Sequence, residues 1–309
     1  MGGKQRVYKK RIASTETLAK VFRAMELIAA SRIGPARKAA EEGGPFDRAL
    51  TQAVAAVAMH SNMVHPLTTE RTDTNRVAIL AIASDRGMAG AYAATILRET
   101  DKLMDEIREQ GKEPVLYICG RRAVSYYRFR KIPLAAQWTG ESDSPSHEMA
   151  DDVARTLLEA FLAEKDKGGV DELRIVFTRF KTMVKQVPEV RKMLPLTVID
   201  DTEMSELDFE EIESRRSISD VMPLYEFEPS AEGVMDILLP MYVRSRIRNA
   251  LLQAAASELA SRQTAMHTAN DNAHDLIENY TRLANSARQA EITQELTEIV
   301  SGADALASA

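Results

Sequence analysis

Residues able to do chemistry are few, and they do not converge. The turn Ser84-Asp85-Arg86-Gly87-Met88-Ala89-Gly90 follows an apolar run. Glycine-bearing turns between a strand and a helix are where backbone N–H groups cradle phosphate. Here the spacing is G-x-x-G, not G-x-G-x-x-G or G-x-x-x-x-G-K-[ST], and no acidic residue closes a following strand to take a ribose hydroxyl. A tight strand-to-helix turn is the plainer reading. Gly120-Arg121-Arg122 is a weaker version of the same pattern and reads as a helix start on the surface. The histidines, His60, His65, His147, His267 and His274, form neither H-x-x-x-H nor H-E-x-x-H. One cysteine, Cys119, cannot complete a zinc set with them, and inside an apolar run it reads as a small core residue. Ser84-Asp85 has no local base, and no G-x-S-x-G elbow occurs. Catalytic site, cofactor and metal are all expected to be absent.

The elements around these residues are more informative. Arg76–Ala83 and Pro114–Cys119 are short apolar runs suited to buried strands, with a helical stretch to Gln110 between them. Ser144-Pro145 resembles an N-cap followed by proline at the first helical position, opening a helix to about Lys165. Glu172–Phe180 is a third strand, and Val184–Leu196 a further candidate. Strand–helix alternation predicts a Rossmann-like three-layer α/β domain with a mostly parallel sheet, over 75–210.

The two ends have another texture. From residue 241 to 301 there is neither Gly nor Pro. As one helix that stretch spans roughly 90 Å at 1.5 Å per residue. Leu252, Ala255, Leu259, Arg262, Met266, Ala269, Ala273, Leu276, Tyr280, Leu283, Ala287 and Ala290 recur in alternating steps of three and four. That period of 3.5 predicts a left-handed coiled coil, and its alanines let a partner helix come close. Leu18, Val21, Met25 and Ile28 repeat likewise near the N-terminus and supply the partner, antiparallel. Breaks are expected at Gly34-Pro35 and Gly43-Gly44-Pro45, followed by a helix over Asp47–Met63. The resulting division is 1–64 for the N-terminal shaft helix and following helical segment, 75–210 for the α/β domain, 211–229 for an acidic linker and 230–309 for the C-terminal shaft helix.

Composition narrows the function classes. The 309 residues are 45% hydrophobic and 28% charged, as in folded proteins. With 14 Gly and 11 Pro, these breakers make about 8% of the chain against a usual share of about 12%. A net charge of −6 argues against a nucleic-acid binder. No apolar run reaches the 18 residues a membrane helix needs, and MGGKQRVYKK lacks the apolar core of a secretory signal. Charge is segregated: residues 1–38 carry ten Lys/Arg against Glu16 and Glu26, and residues 200–232 carry twelve Asp/Glu against Arg215 and Arg216.

Two terminal stretches carry a specific resemblance. Thr17–Arg32 reads TLAKVFRAMELIAASR, and Arg288–Leu306 reads RQAEITQELTEIVSGADAL. Together they resemble the gamma-subunit family of bacterial rotary F-type ATP synthases, with Ile292, Thr293, Glu295, Glu298, Gly302 and Ala303 at the family's spacing. The turn at Ser84–Gly90 is similar to the family's S-D-[RK]-G-L-C-G, with Met88 and Ala89 substituted. Tyr225–Pro229 resembles the segment before the long C-terminal helix. Gln263 departs from the family's A-R-M-x-A-M stretch, and no role is carried onto it.

The resemblance implies a long antiparallel coiled coil of N- and C-terminal helices plus a central α/β foot. It implies a non-catalytic rotor turning inside a hexamer of alpha and beta subunits, with the foot against the epsilon subunit and the c-ring. It further implies a proton-translocating complex, with the chain lying peripherally on the cytoplasmic face of the cell membrane without inserting. Met25 is implied to face beta, with Arg288, Gln289, Thr293 and Glu295 as upper shaft contacts. Tyr225, Glu226 and Glu228 are implied to belong to the ring-facing foot. Two other classes compete: a coiled-coil scaffold, and a nucleotide-dependent enzyme built on the α/β domain with the helices as a dimerisation rod. The terminal signature disfavours the first, and the missing phosphate motif the second.

Overall fold

The computed structural model describes residues 3–60, 65–71, 73–196, 227–228 and 230–307. In chain order the elements are α1 (Gly3–Glu42), α2 (Gly44–His60), β1 (Arg76–Ile82), α3 (Tyr92–Glu109), β2 (Glu113–Cys119), α4 (Arg121–Phe129), β3 (Leu134–Trp138), α5 (His147–Leu162), β4 (Glu172–Phe180), β5 (Gln186–Leu194) and α6 (Ala231–Ala307). Contacts divide the chain into two units: residues 33–87 with 91–259, and residues 1–32 with 88–90 and 260–309.

The first unit is an α/β domain. Its sheet has the order β3-β2-β1-β4-β5. β1 pairs in parallel with β2 and β4, β2 with β3, and β5 turns back antiparallel on β4. Strands buried on both faces need apolar side chains at every position, and Val77–Ile82 supplies them. Alternate residues enter two separate cores. Val77, Ile79 and Ala81 join Ile96, Leu103 and Ile107 of α3 and Ala123, Val124 and Tyr127 of α4. Ala78, Leu80 and Ile82 join Val153, Leu157 and Phe161 of α5 and Leu239, Val243 and Ile247 of α6. Helices thus cover both faces, giving the three layers expected.

Two local expectations fail here. The N-cap of α5 is Ser146, not Ser144: the Ser146 side chain accepts from the Met149 N–H at 3.1 Å, and the helix ends at Leu162. A cap needs its oxygen two or three residues before an orphan N–H, and Ser146 meets that condition. Gly34-Pro35 does not end α1, which runs through Pro35 to Glu42. Proline in a helix removes one hydrogen bond and crowds the preceding turn. Ile33 and Ala40 are buried on either side of it, so packing opposes the break.

The second unit is a helical pair, α1 up to Arg32 against α6 from Ala260. Tyr8 stacks on Tyr280 with centroids 6.3 Å apart, and Glu26 meets His267 at 3.1 Å. Rising numbers on one helix meet falling numbers on the other, so the pair is antiparallel. The covered row of α1 is Gln5, Tyr8, Ile12, Thr15, Ala19, Phe22, Glu26 and Ala29, in unbroken steps of three and four.

This row lies one residue beyond the one expected. Leu18, Val21 and Ile28 are 48%, 45% and 54% exposed, and Met25 is half-buried. On α6 the expected row holds through Ala273. Beyond it the covered residues are Ile277, Tyr280, Ala284, Ala287 and Glu291, while Leu276, Leu283 and Ala290 are exposed. An α-helix with 3.6 residues per turn drifts about 20° per heptad from a strict 3.5 repeat. On α6 the extra step of four from Ala273 to Ile277 follows this drift, with Tyr280 and Ala287 of the expected row still covered, whereas the α1 row keeps the strict repeat on a face one residue over.

Candidate functional site

Among the described residues, the turn after β1 and the largest cleft described in the α/β unit hold no converging nucleophile, base and metal-ligand set. The turn after β1 is organised by Asp85. One of its carboxylate oxygens accepts from the Arg121 N–H at 2.9 Å, at the first turn of α4. The other accepts from the Gly140 and Ser142 N–H groups at 2.7 and 2.9 Å. The Asp85 N–H itself donates to the Ser142 hydroxyl at 2.8 Å. A helix N-terminus beside the carboxyl end of a parallel strand is the place where an anionic ligand would sit. Here the chain's own carboxylate fills it. Gly120 cannot carry a side chain: a Cβ there would lie 2.3 Å from the Ala83 carbonyl oxygen. The motif therefore joins β1, β2 and α4 rather than cradling phosphate.

A cleft of about 1000 Å³ is lined by Trp138, Glu141, Asp151, Asp152, Arg155 and Arg244, among others. Two of its carboxylates, Asp152 and Glu141, are already engaged. Asp152 accepts from the Trp138 indole N–H at 2.7 Å and pairs with Arg155. Those two contacts hold its carboxyl below the usual range. Hydrogen bonding from Ser146 does the same for Glu141. Carboxylates held ionised in this way are poor general acids near neutrality. Cys119 is buried, and burial with the nearby Asp85 charge pushes its thiol far up, so it is no nucleophile. Among the described residues no group of three metal-ligating side chains comes together.

The helical pair has the features of a contact surface. Its fully buried residues are mostly small, Ala19, Ala29, Ala273 and Ala284 among them, while Tyr8, Ile12, Phe22, Ile277 and Tyr280 on the same rows are half-covered. Other large apolar residues stand outside those rows: Leu18, Val21, Leu27 and Ile28 on α1, and Leu276, Ile292, Leu296, Ile299 and Val300 on α6. From Ile292 to Ser301 every residue is exposed. Past the level of Glu291, then, nothing in the unit covers α6. Contiguous exposed apolar surface of this kind marks a site that another molecule covers.

The residues expected at the shaft contacts fall in two places. Met25 lies beside Glu26, level with His267. Arg288, Gln289, Thr293 and Glu295 are exposed near the far end of α6. The 21 residues from 267 to 288 separate the two groups by roughly 30 Å of helix. They are two stations along one surface, not a single site. The Thr293 hydroxyl donates to the Gln289 carbonyl at 2.9 Å, leaving its methyl outward. Tyr225 and Glu226 lie outside the described residues, as does most of the acidic linker, and Glu228 is exposed.

Leu18, Val21 and Ile28 are the surface residues that the sequence pattern assigned elsewhere. Their neighbours one position on held the signal: Ala19, Phe22 and Ala29 share the same spacing, and small residues favour close helix approach.

Comparison with known proteins comes down on one side. The family described as ATP synthase matches residues 4–306. The ATP synthase gamma chain of Beutenbergia cavernae is 59% identical over 308 residues, covering 100% of both chains. The ATP synthase gamma chain of an Arthrobacter species is 52% identical over 306 residues, covering 99% of each. Among solved structures, the rotor of the Euglena gracilis mitochondrial ATP synthase aligns with a TM-score of 0.62 at 13% identity, covering 94% of this chain and 100% of that one. The central stalk and c-ring structure of the Tetrahymena thermophila mitochondrial enzyme gives 0.54 at 20% identity, covering 81% and 99%. At such identities the structural likeness speaks to the fold.

Proposed function

The chain belongs to the ATP synthase gamma-chain family, and from that premise we propose that it is the central-stalk rotor of a proton-translocating ATP synthase. It couples rotation of the c-ring to the conformational cycle of an alpha–beta hexamer. It has no catalytic site of its own, and ATP chemistry belongs to the hexamer. The observation that carries this reading is the helical pair itself, which leaves Leu18, Val21, Leu27 and Ile28 on α1 and Ile292, Leu296, Ile299 and Val300 on α6 exposed outside its seam.

A rotor in a sleeve needs a surface that is covered at every angle yet fixed at none. Apolar contacts are non-directional, so they exclude water without specifying one orientation. Salt bridges would favour particular angles. The exposed stretch Ile292–Val300 suits the upper bearing, and Leu18, Val21 and Ile28 suit the sleeve lower down. Met25, Arg288, Gln289, Thr293 and Glu295 are the contacts with beta and alpha. Tyr225, Glu226 and Glu228 serve the foot, toward the epsilon subunit and the c-ring. In this reading residues 1–64 and 230–309 supply the shaft, 75–210 the foot and 211–229 the acidic linker. The chain works on the cytoplasmic face of the cell membrane as a peripheral subunit; among the described residues no helix is long and apolar enough to cross a membrane.

The test is ATP-driven proton pumping in membrane vesicles carrying Met25→Lys. A lysine at this half-buried position extends outward along the helix and presents its charge to the sleeve. Paired there with an acidic group, it favours one angle by about 1 kcal/mol or more. Assembly should be normal, with pumping per ATP hydrolysed clearly reduced. Unchanged pumping in a normally assembled complex contradicts the placement of Met25. A tagged chain that recovers no ATPase hexamer contradicts the rotor reading itself.

A further inference from the structure

Most of the seam between α1 and α6 says little about register. Its buried apolar members within the helical pair are Ala19 and Ala29 on one helix and Ala260, Met266, Ala273 and Ala284 on the other. A single methyl offers a shallow knob, and alanines recurring along both helices meet other alanines when the helices slide. The larger residues of the two rows, Tyr8, Ile12, Phe22, Ile277 and Tyr280, are only half-covered, so apolar packing alone separates neighbouring registers weakly. A rotor stroke delivered through helices that can slip along one another would be partly lost.

Two buried charged residues interrupt this uniformity, Arg262 on α6 and Glu26 on α1, and the one with a cross-helix hydrogen bond to His267 is Glu26. It is 8% exposed and sits on the covered row of α1. Its two oxygens are held from two directions. The Arg23 guanidinium donates to Oε2 at 2.9 Å within α1. The His267 Nδ1 donates to Oε1 at 3.1 Å from α6. The other ring nitrogen of His267 lies 3.5 Å from an Asp271 carboxylate oxygen, which aims the ring. A buried carboxylate with one cross-helix partner has a sharp positional optimum. Moving the partner leaves the charge desolvated and under-bonded. A polar residue at one position of an apolar seam is a known means of fixing register, at some cost in stability.

The next histidine does not rescue a slipped state. A slip of one heptad toward the free end of α6 brings Glu26 level with His274, whose neighbours three before and four after are Asp271 and Glu278. Glu26 would then face two carboxylates. A slip the other way brings it level with Ala260, which offers no donor side chain.

We infer that Glu26, held by His267, is the positioning residue that fixes the axial register of the two shaft helices. The functional half of this inference rests on the rotor reading. The register half does not.

The test uses the assembled complex with spin labels at Ser31→Cys and Thr264→Cys, both exposed positions, in a Cys119→Ala background. Electron–electron distances report the register directly, and pumping per ATP hydrolysed is measured on the same preparation. With Glu26 present, one narrow distance is expected. Glu26→Leu should add a second population, displaced by about 10 Å along the axis, one heptad at 1.5 Å per residue. It should hold roughly one molecule in ten or more, with pumping per ATP falling at least about twofold. Thermal stability should hold or rise, because a buried charge has been replaced by an apolar group. Glu26→Gln, which keeps an acceptor for His267, should restore the single distance and the coupling. His267→Leu, at an exposed position, should reproduce the slip without disturbing the seam, and it serves if Glu26→Leu does not assemble. A single unshifted distance in both leucine variants overturns the register role. A slipped population with unchanged pumping overturns its functional consequence and counts against torque transmission through the pair.

Discussion

In the α/β unit the largest fully buried side chains include Tyr127, Phe161, Ile79, Leu80 and Ile96, whereas the helical pair buries chiefly alanine and turns Leu18, Val21, Leu27 and Ile28 outward. The first unit satisfies itself. Its central strand β1 is covered on both faces, its tight turn is filled by Asp85, and Asp152 and Glu141 of its cleft are paired internally. The second leaves Leu18, Val21, Leu27 and Ile28, with Ile292, Leu296, Ile299 and Val300, for something else to cover. A region complete in itself can serve as a rigid base. A region with a small-residue seam and an apolar exterior is shaped for a partner, and chemistry enters only through that partner.

The contrast can be broken by mutation, and the largest effect belongs to the self-sufficient unit. Phe161→Ala should destabilise the α/β unit by about 3–5 kcal/mol, the usual cost of a large core deletion. Chemical denaturation of the purified chain measures it. A loss under about 1 kcal/mol would mean that this core is not close-packed. Asp85→Ala removes the acceptor for the Arg121, Gly140 and Ser142 N–H groups. About 1–3 kcal/mol should be lost, with faster hydrogen exchange at those three amides. Leu18→Ser with Ile28→Ser should behave oppositely. Folding stability should change by less than about 0.5 kcal/mol, as for surface positions. Affinity for the hexamer should fall roughly tenfold, from lost apolar burial. Titrating the hexamer with labelled chain separates the two effects.

The smallest effect concerns pH. Burial raises the pKa of Glu172, but its hydrogen bond and charge contact with Arg174, together with Lys112, outweigh that and hold it below its ordinary value of 4.5. A carboxylate lowered on folding stabilises the fold above that ordinary value, and the contribution is lost as pH falls through the folded-state value. Glu172→Gln should therefore flatten the pH dependence of unfolding below pH 4.5, with a change of about 1 kcal/mol or less. An identical acid profile would show the ion pair to be idle.

Legibility in the sequence followed this division. β1 and β2 could be read because burial on both faces demands apolar runs, and β4 from its Ile175-Val176-Phe177 centre flanked by β-favouring residues. β3 could not: Leu134–Trp138 is short and pairs only with β2, so half-covered positions blur its pattern. The Ser84–Gly90 turn was legible as structure, though not the Asp85 bonds, whose partners lie 36 to 57 residues away. In the helical pair the period was legible and the face was not. Large apolar residues point to a core only when a chain buries its own surface, and here Leu18, Val21 and Ile28 serve the outside while Ala19, Glu26 and Ala29 serve the seam. No spacing rule could mark Arg288, Gln289, Thr293 or Glu295, because residues exposed on a single helix leave no burial pattern. They came from family resemblance.

The central claim is that this chain moves relative to the hexamer on every turnover, and covalent fixation tests it most directly. Cys119, buried and with its thiol held protonated by burial, is replaced by alanine. A single cysteine at Lys20, exposed where both helices are engaged, is cross-linked to a beta subunit in the assembled complex. Fixation at this level avoids escape by fraying of the terminal turns of α6. Steady-state ATP turnover should stop in proportion to the cross-linked fraction and return on reduction of the bond. Full turnover with complete cross-linking would contradict the rotor account and leave the chain a scaffold.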